Sequence, residues 1–312
     1  MPDKTIQVIP PRIVHNKNLF DKFMAEHKIA FERPPVADQL PTFKVDVRGY
    51  NPSIIRWNGK LLMSYRYHHD GTLSTRLALA ELDETFKVVE NHNLELNDES
   101  LSQEDARLFI HDGKLFMSYV ASEWPRFPSA TVKYVELTKP DHWRSTLPIE
   151  HPYKDRQTLE KNHLPFPQAD GLKIIYKSGV IFKVDSRDEW LSTPDHWPYG
   201  EIRGGTVPMP YGDKLIRFFH SSLKNEMPPL RARYYCGALL MSPVPPFQTL
   251  AISSRPILYG SEVGGDDTQR QFKKAVVIPY GAIEHDGGWI ISTGINDSEC
   301  RLVVVKPENL NL

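Results

Sequence analysis

Asn51-Pro-Ser-Ile-Ile-Arg-Trp-Asn-Gly-Lys-Leu-Leu-Met-Ser-Tyr-Arg66 and Glu104-Asp-Ala-Arg-Leu-Phe-Ile-His-Asp-Gly-Lys-Leu-Phe-Met-Ser-Tyr119 are two forms of one phrase. Each has a polar opening, a short apolar strand, a turn on Asp or Asn with Gly, and a second apolar strand ending in small polar or aromatic residues. The phrase returns more loosely from Lys161 through Asp170-Gly171 to Lys177, from Gly204 through Gly212-Asp213 to Ser222, and from Lys274 through Asp286-Gly287 to Asn296. A hairpin repeated every few tens of residues cannot bury its apolar face alone, so the copies must pack on one another in a ring or stack. Five copies, opening near 51, 104, 161, 204 and 274, predict an all-β five-bladed propeller in a single domain. Segments between the hairpins, such as Leu77-Ala-Leu-Ala-Glu-Leu82 and Thr131-Val-Lys-Tyr-Val-Glu-Leu137, alternate as outer blade strands do. Residues 1–45 are read as an N-terminal cap, with helical spacing from Asn16 to Ala30 that Glu32-Arg-Pro-Pro35 would end.

Composition permits this fold and narrows the partners. With 40% hydrophobic residues and 26 prolines, a 312-residue chain can fill a core and still be rich in loops. Its 38 basic residues against 39 acidic ones oblige no face to be strongly basic, so nucleic acid and membrane surfaces are not expected partners. The start Met1-Pro-Asp-Lys-Thr lacks the pattern of a signal peptide, and no apolar run approaches the roughly 20 residues that span a bilayer. The expectation is a cytoplasmic protein, able to form a homo-oligomer through an outer blade face. Cys236 and Cys300 form neither a disulfide framework nor a zinc pattern and read as buried thiols.

In a propeller the innermost strands converge on the axis, so the residues that open each phrase line a funnel. They are Asn51, then Glu104, Asp105 and Arg107, then Glu160, Lys161 and Asn162, then Arg203, and last Lys273 and Lys274. Partner strands add Arg66, His220 and Asp297. Taken singly, each reads as a solvated strand end or an ion pair. Charge recurring at the same phase in every blade suggests instead a concave site that mixes carboxylates and cations, fit for a polar, anionic substrate.

These openings resemble glycoside hydrolase family 130. The resemblance is carried by Asn51-Pro52, Glu104-Asp-Ala-Arg107, Glu160-Lys-Asn162, Arg203-Gly-Gly-Thr206, Phe219-His-Ser-Ser222, Tyr235-Cys-Gly-Ala238 and Thr293-Gly-Ile-Asn-Asp297. It implies a five-bladed propeller acting on β-mannosides, as a phosphorylase or a hydrolase. The family's Glu-Asp-Pro-Arg motif stands here as Glu104-Asp105-Ala106-Arg107, which implies Asp105 as the general acid. By the same matching, Asn51, Arg66 and Asp297 are implied to hold the sugar and Lys161 and His220 to belong to the basic cluster that holds phosphate; Glu104 and Arg107 are further candidates for the sugar, and Arg203 for a further cation. Ala106 in place of proline, and Glu160-Lys161-Asn162 in place of Lys-Asp-Ala, mark a divergent branch. No metal or organic cofactor is implied, only inorganic phosphate as co-substrate. The expected partner is a small oligosaccharide or sugar phosphate.

The residue types say what such a site needs. Inverting hydrolysis requires a protonated carboxyl for the leaving oxygen and an ionised one to activate water. Phosphorolysis requires only the acid, because phosphate is already an anionic nucleophile that cations must hold. Glu160 is the sequence candidate for a hydrolytic base. Asp105 is expected to have a raised pKa through burial and Glu104, with Arg107 opposing if close. Tyr65, Tyr67, Trp124, Tyr234 and Tyr235 are candidates for a sugar platform, although strand aromatics pack more often between blades. Gly204-Gly205 reads as a bulge, Pro-Asp-His-Trp at 140–143 and 194–197 as a structural signal, and His68-His-Asp70 as a turn. Two other functions stay open: a mannosyltransferase using an activated donor, and a non-catalytic glycan-binding propeller.

Overall fold

The computed structural model describes residues 40–69, 72–123, 129–139, 142–149, 159–177, 179–186, 188–191, 196–224, 230–260 and 273–312. The first strand, β1 (Thr42–Lys44), finds its partner only at the far end of the chain. Blade one is β2 (Tyr50–Trp57), β3 (Lys60–His68), β4 (Thr75–Leu82) and β5 (Val88–Asn93). Blade two is β6 (Ser102–His111), β7 (Lys114–Ser122), β8 (Ala130–Thr138) and β9 (Arg144–Ser145), and blade three is β10 (Leu164–Gln168), β11 (Gly171–Lys177), β12 (Val180–Lys183) and β13 (Glu189–Leu191). In blade four, β14 (Arg203–Gly205) and β15 (Met209–Tyr211) both pair with β16 (Lys214–Lys224). Next come β17 (Leu230–Met241) and β18 (Thr249–Ile252), with β19 (Leu258–Tyr259) and β20 (Lys273–Ala275) also on β17. Blade five is β21 (Val277–His285), β22 (Gly288–Ile295) and β23 (Glu299–Val305). The five predicted openings each lead into an inner strand.

The apolar pattern explains why five sheets close a ring. Strand β4 sends Leu77 and Leu79 into one core and Ala78, Ala80 and Leu82 into another, so an alternating strand is buried on both faces. Five such cores separate neighbouring blades. Leu62 and Leu108 share one between blades one and two, Phe109 and Ile174 one between two and three, and Phe166 and Leu239 one between three and four. Phe218 and Ile291 meet between blades four and five, and Ile290 and Ile54 between five and one. Small hydroxyls stitch blades together: Leu108 N donates to Ser53 Oγ at 3.0 Å, and Ile54 N to Ser292 Oγ at 3.1 Å.

The N-terminal cap reading needs correcting at its end. Residues 1–39, including the expected helix, lie outside the described residues, but Thr42–Lys44 form the outer strand of blade five. Thr42 pairs with Val303 and Lys44 with Arg301, covering an edge of β23 that would otherwise expose a row of unpaired backbone groups. The tryptophans of the two Pro-Asp-His-Trp copies are structural: Trp143 and Trp197 are buried in inter-blade cores, and Trp197 Nε1 donates to the Ser253 carbonyl. Cys236 and Cys300 are buried free thiols whose pKa values burial pushes up. Among the described residues no helix is long and apolar enough to cross a membrane.

Candidate active site

One backbone device places the axial side chains. Inner strands carry a bulge where they leave the axis: between Tyr50 and Ser53, between Glu104 and Arg107, between Arg203 and Gly205, and between Pro279 and Gly281. In blades one and two the unpaired stretch holds Asn51 at φ 56° and Asp105 at φ 54°, and Asn162 stands ahead of the third inner strand at φ 67°. Asn and Asp tolerate this left-handed conformation better than other non-glycine residues, and such strain gathers where function requires a side chain to be re-aimed. The predicted bulge at Gly204-Gly205 is present, with a Cβ on Gly205 falling 1.9 Å from the Phe218 carbonyl.

Arg66 is the hub. Its guanidinium donates to Glu104 Oε2 at 2.9 Å and Asp297 Oδ1 at 3.0 Å, lies 3.4 Å from Asp105 Oδ1, and sits over the Tyr50 ring. Asn51 Nδ2 donates to Asp105 Oδ1 at 3.0 Å and Asp297 Oδ1 at 3.2 Å. Lys161 Nζ reaches the same Glu104 Oε2 at 3.3 Å, with a half-exposed side chain. Six residues chosen from the sequence, Asn51, Arg66, Glu104, Asp105, Lys161 and Asp297, therefore form one bonded cluster. Asp105 is tied down through Oδ1, as Glu104 is through Oε2 and Asp297 through Oδ1. In Asp105 this makes Oδ1 the anchored oxygen.

Gly294 shows how closely this cluster is fitted. A Cβ there would fall 2.0 Å from Asn51 Oδ1. Gly294→Ala is expected to force Asn51 off both carboxylates and to lower stability by about 1–3 kcal/mol. Chemical denaturation checks this, and a variant as stable as its parent would mean that Asn51 has room to yield.

Three expectations change. The Asp105 carboxyl lies below the usual carboxylate range: burial alone would raise it, but Arg66, Lys161, Arg107 and the Asn51 hydrogen bond together reverse the sign. Arg107, expected to hold the sugar, is placed as an internal strut. It is buried, with Nε donating to the Gly205 carbonyl at 2.8 Å and one terminal nitrogen to the Asp105 carbonyl at 3.1 Å, because the bulge after Asp105 turns it under the strand. His220 is not a cation. Its Nδ1 donates to the Gly204 carbonyl at 2.7 Å, and burial, aided by Arg107, pulls its pKa down to about 3, leaving Nε2 as an acceptor.

Arg203 is partly exposed and pairs loosely with Glu201 at 3.4 Å. Its charge is felt by His220 and by Tyr234, whose ring stacks on that of His220. Tyr234 also senses Asp297, Asp105 and Lys161, so of the platform candidates it is the one at the site. Tyr65 and Tyr235 are buried core residues, Tyr67 packs beside Tyr65, and Trp124 lies outside the described residues. Glu160 is fully buried, with its charge raising the pKa of Tyr134 in the interior. The backbone of Lys273 and Lys274 pairs with β17, and their side chains lie outside the description. Tyr280, in the bulge of blade five, was not foreseen; it is buried between Arg107 and the carboxylates. Among the described residues no group of three or more His, Cys, Asp or Glu is placed to hold a metal.

No family model matches the sequence, and no curated protein matches it. Solved structures do match. A β-1,2-mannobiose phosphorylase from Listeria innocua superimposes with a TM-score of 0.60 at 15% identity, over 86% of this chain and 92% of its own. A glycosyl hydrolase from Bacteroides ovatus gives 0.62 at 13%, over 84% and 85%. A GDP-Man-dependent mannosyltransferase from Leishmania mexicana gives 0.60 at 13%, over 93% and 94%. The fold is theirs. A further match, with a TM-score of 0.63 and 12% identity, comes from work on the GH130 family of mannoside phosphorylases and hydrolases. The five-bladed propeller of the family 130 enzymes, expected from the repeats, is thus the fold of this chain at very low sequence identity.

Proposed function

We propose that the protein is a carbohydrate-active enzyme that cleaves a β-mannoside by inverting phosphorolysis, with Asp105 as general acid. The observation that carries this reading is how Asp105 is set among the carboxylates on Arg66. The bulge of blade two re-aims Asp105 at φ 54°, and of the three carboxylates on Arg66 it has the longest contact, 3.4 Å against 2.9 and 3.0 Å, so it is the one most readily released to take up a proton. Glu160, the candidate base, is buried away in the interior. One acid without a base suits a nucleophile that arrives already charged. Lys161 and Arg203 supply the cations to hold it, and neutral His220 offers Nε2 to a phosphate or sugar hydroxyl. A phosphate oxygen attacks the anomeric carbon, the glycosidic C–O bond breaks with its electrons going to the leaving oxygen, and the Asp105 proton ends on that oxygen. The products are mannose 1-phosphate and the shortened acceptor.

The test runs the reaction backwards. Mannose 1-phosphate is incubated with a panel of acceptor sugars, and inorganic phosphate is measured beside an Asp105→Asn control. Release that needs both acceptor and Asp105 supports phosphorolysis. Cleavage of β-mannosides at equal rates without phosphate would replace it with hydrolysis, and turnover only with GDP-mannose would replace it with transfer, the activity of the Leishmania mexicana mannosyltransferase. Within the phosphorolysis reading, Lys161→Ala is expected to raise the KM for phosphate at least about tenfold, the worth of one charge-assisted hydrogen bond, and to leave the mannoside KM within about twofold. Equal losses for both substrates would remove Lys161 from the phosphate site.

A further inference from the structure

Tyr280 has no role in the scheme above, yet it is buried at the floor of the site with a polar atom left over. It is the unpaired residue of the blade-five bulge, between the Pro279–Thr293 and Gly281–Ser292 pairs. It is fully buried, and its backbone carbonyl accepts from Ser53 Oγ, which ties it to blade one. Its ring faces the Arg107 guanidinium at 5.0 Å. Its hydroxyl has no hydrogen-bond partner among the described residues, and neither has the Arg107 Nη2 beside it. A buried hydroxyl left unbonded costs about 1–3 kcal/mol, and phenylalanine would fill the same space without that penalty. The hydroxyl therefore needs a use in another state of the site.

The charges around it say which state. Tyr280 stands in the field of Asp105, Arg66, Asp297 and Arg107, and the two arginines are among the groups that hold the acid ionised. Asp105 is faced in addition by Lys161, by Asn51 and Tyr50 of blade one, by Glu104, and by His220 and Tyr234 of blade four. Of the three carboxylates on Arg66, Asp105 has the longest contact, 3.4 Å against 2.9 and 3.0 Å. When Asp105 takes up a proton its attraction to Arg66 lapses, while Arg66 keeps Glu104 and Asp297. A neutral carboxyl then needs a neutral hydrogen-bonding partner, and the unbonded phenol at the floor is one. Catalytic hydrogen bonds of this kind are often unmade in the resting enzyme and form in the working complex.

We propose that Tyr280 is a positioning residue for Asp105: its hydroxyl becomes the hydrogen-bond partner of the protonated carboxyl, holding the acid in place once Arg66 lets it go. This rests on the reading of Asp105 as the acid. The test is Tyr280→Phe in the full chain, with two independent readouts. Carbon-13 NMR follows the Asp105 carboxyl through a pH titration, the signal being assigned by its loss in Asp105→Asn. Loss of a bond to the neutral form moves the titration to lower pH, by about half a unit or more. In the phosphorolysis assay kcat is expected to fall about tenfold at neutral pH, with the KM for phosphate within twofold and the melting temperature equal or higher. An unchanged titration and an unchanged kcat would overturn the proposal, as would a drop in melting temperature with no change in either. If the parent protein turns over no mannoside, the functional reading fails, and the NMR titration still decides the role of Tyr280.

Discussion

Asp105→Asn lowers turnover by about 10²–10⁴-fold, the usual worth of a positioned general acid, while leaving the fold and the affinity for phosphate nearly intact. The amide keeps the anchored oxygen as an acceptor for Asn51 and Arg66 and removes only the proton to be given away. The pH dependence follows from the same environment. In the unliganded protein Arg66, Lys161 and Arg107 hold the Asp105 carboxyl below the normal carboxylate range, so at neutral pH it is ionised. The protonated fraction, and with it kcat/KM, falls about tenfold for each unit of pH above the carboxyl's own pKa. Phosphorolysis by the free enzyme is therefore faster at pH 5 than at pH 7. A kcat/KM profile from pH 4.5 to 8 checks the sign, and a rate that rises with pH across that range would sink Asp105 as the acid.

Arg66→Met is the change expected to cost most in stability. The guanidinium is almost fully covered and holds Glu104, Asp105 and Asp297 together, and its charge is reinforced by Asp105 and Asp297. Removing it leaves three partly buried carboxylates facing one another, and an uncompensated buried charge costs about 3–5 kcal/mol. At the 2–4 °C per kcal/mol typical of large domains, the melting temperature drops by roughly 10 °C. The loss should shrink as pH falls, because protonating the carboxylates removes their repulsion. A variant that melts with its parent at pH 7 would mean that Lys161 and Asn51 suffice to hold the cluster.

Sequence and structure agree where a local rule decides and part where a long-range one does. The hairpin glycines Gly59, Gly113, Gly212 and Gly287 sit at positive φ in the turns that mark four of the blades, so the repeat could be read from them. Asn51 and Asp105 could be read because left-handed backbone favours their residue types, which leaves a visible mark in the phrase. Arg107 could not be placed, since the preceding bulge inserts residues without a pairing partner and upsets the simple inside-outside alternation. The charge of His220 was not legible either: it depends on the Gly204 carbonyl and on Arg107 from another blade. Tyr280 was missed because blade five was read as opening at Lys273-Lys274, whereas its bulge comes later, at Pro279–Gly281. Three residues, Thr42–Lys44, were too short a run to announce a strand that completes the ring.

That short strand has a consequence for when the site exists at all. Val45 N donates to the Cys300 carbonyl, β1 lies along β23, and a few residues from this seam Asp297 meets Asn51 and Arg66. Asn51 and Asp297 are 246 positions apart and bond at 3.2 Å. A chain with four blades folded would own the acid and its cations but not the carboxylate that completes the hub. The cluster is in effect the clasp of a necklace: it becomes whole only when first and last strands have met, so chemistry and circular closure are achieved in a single act.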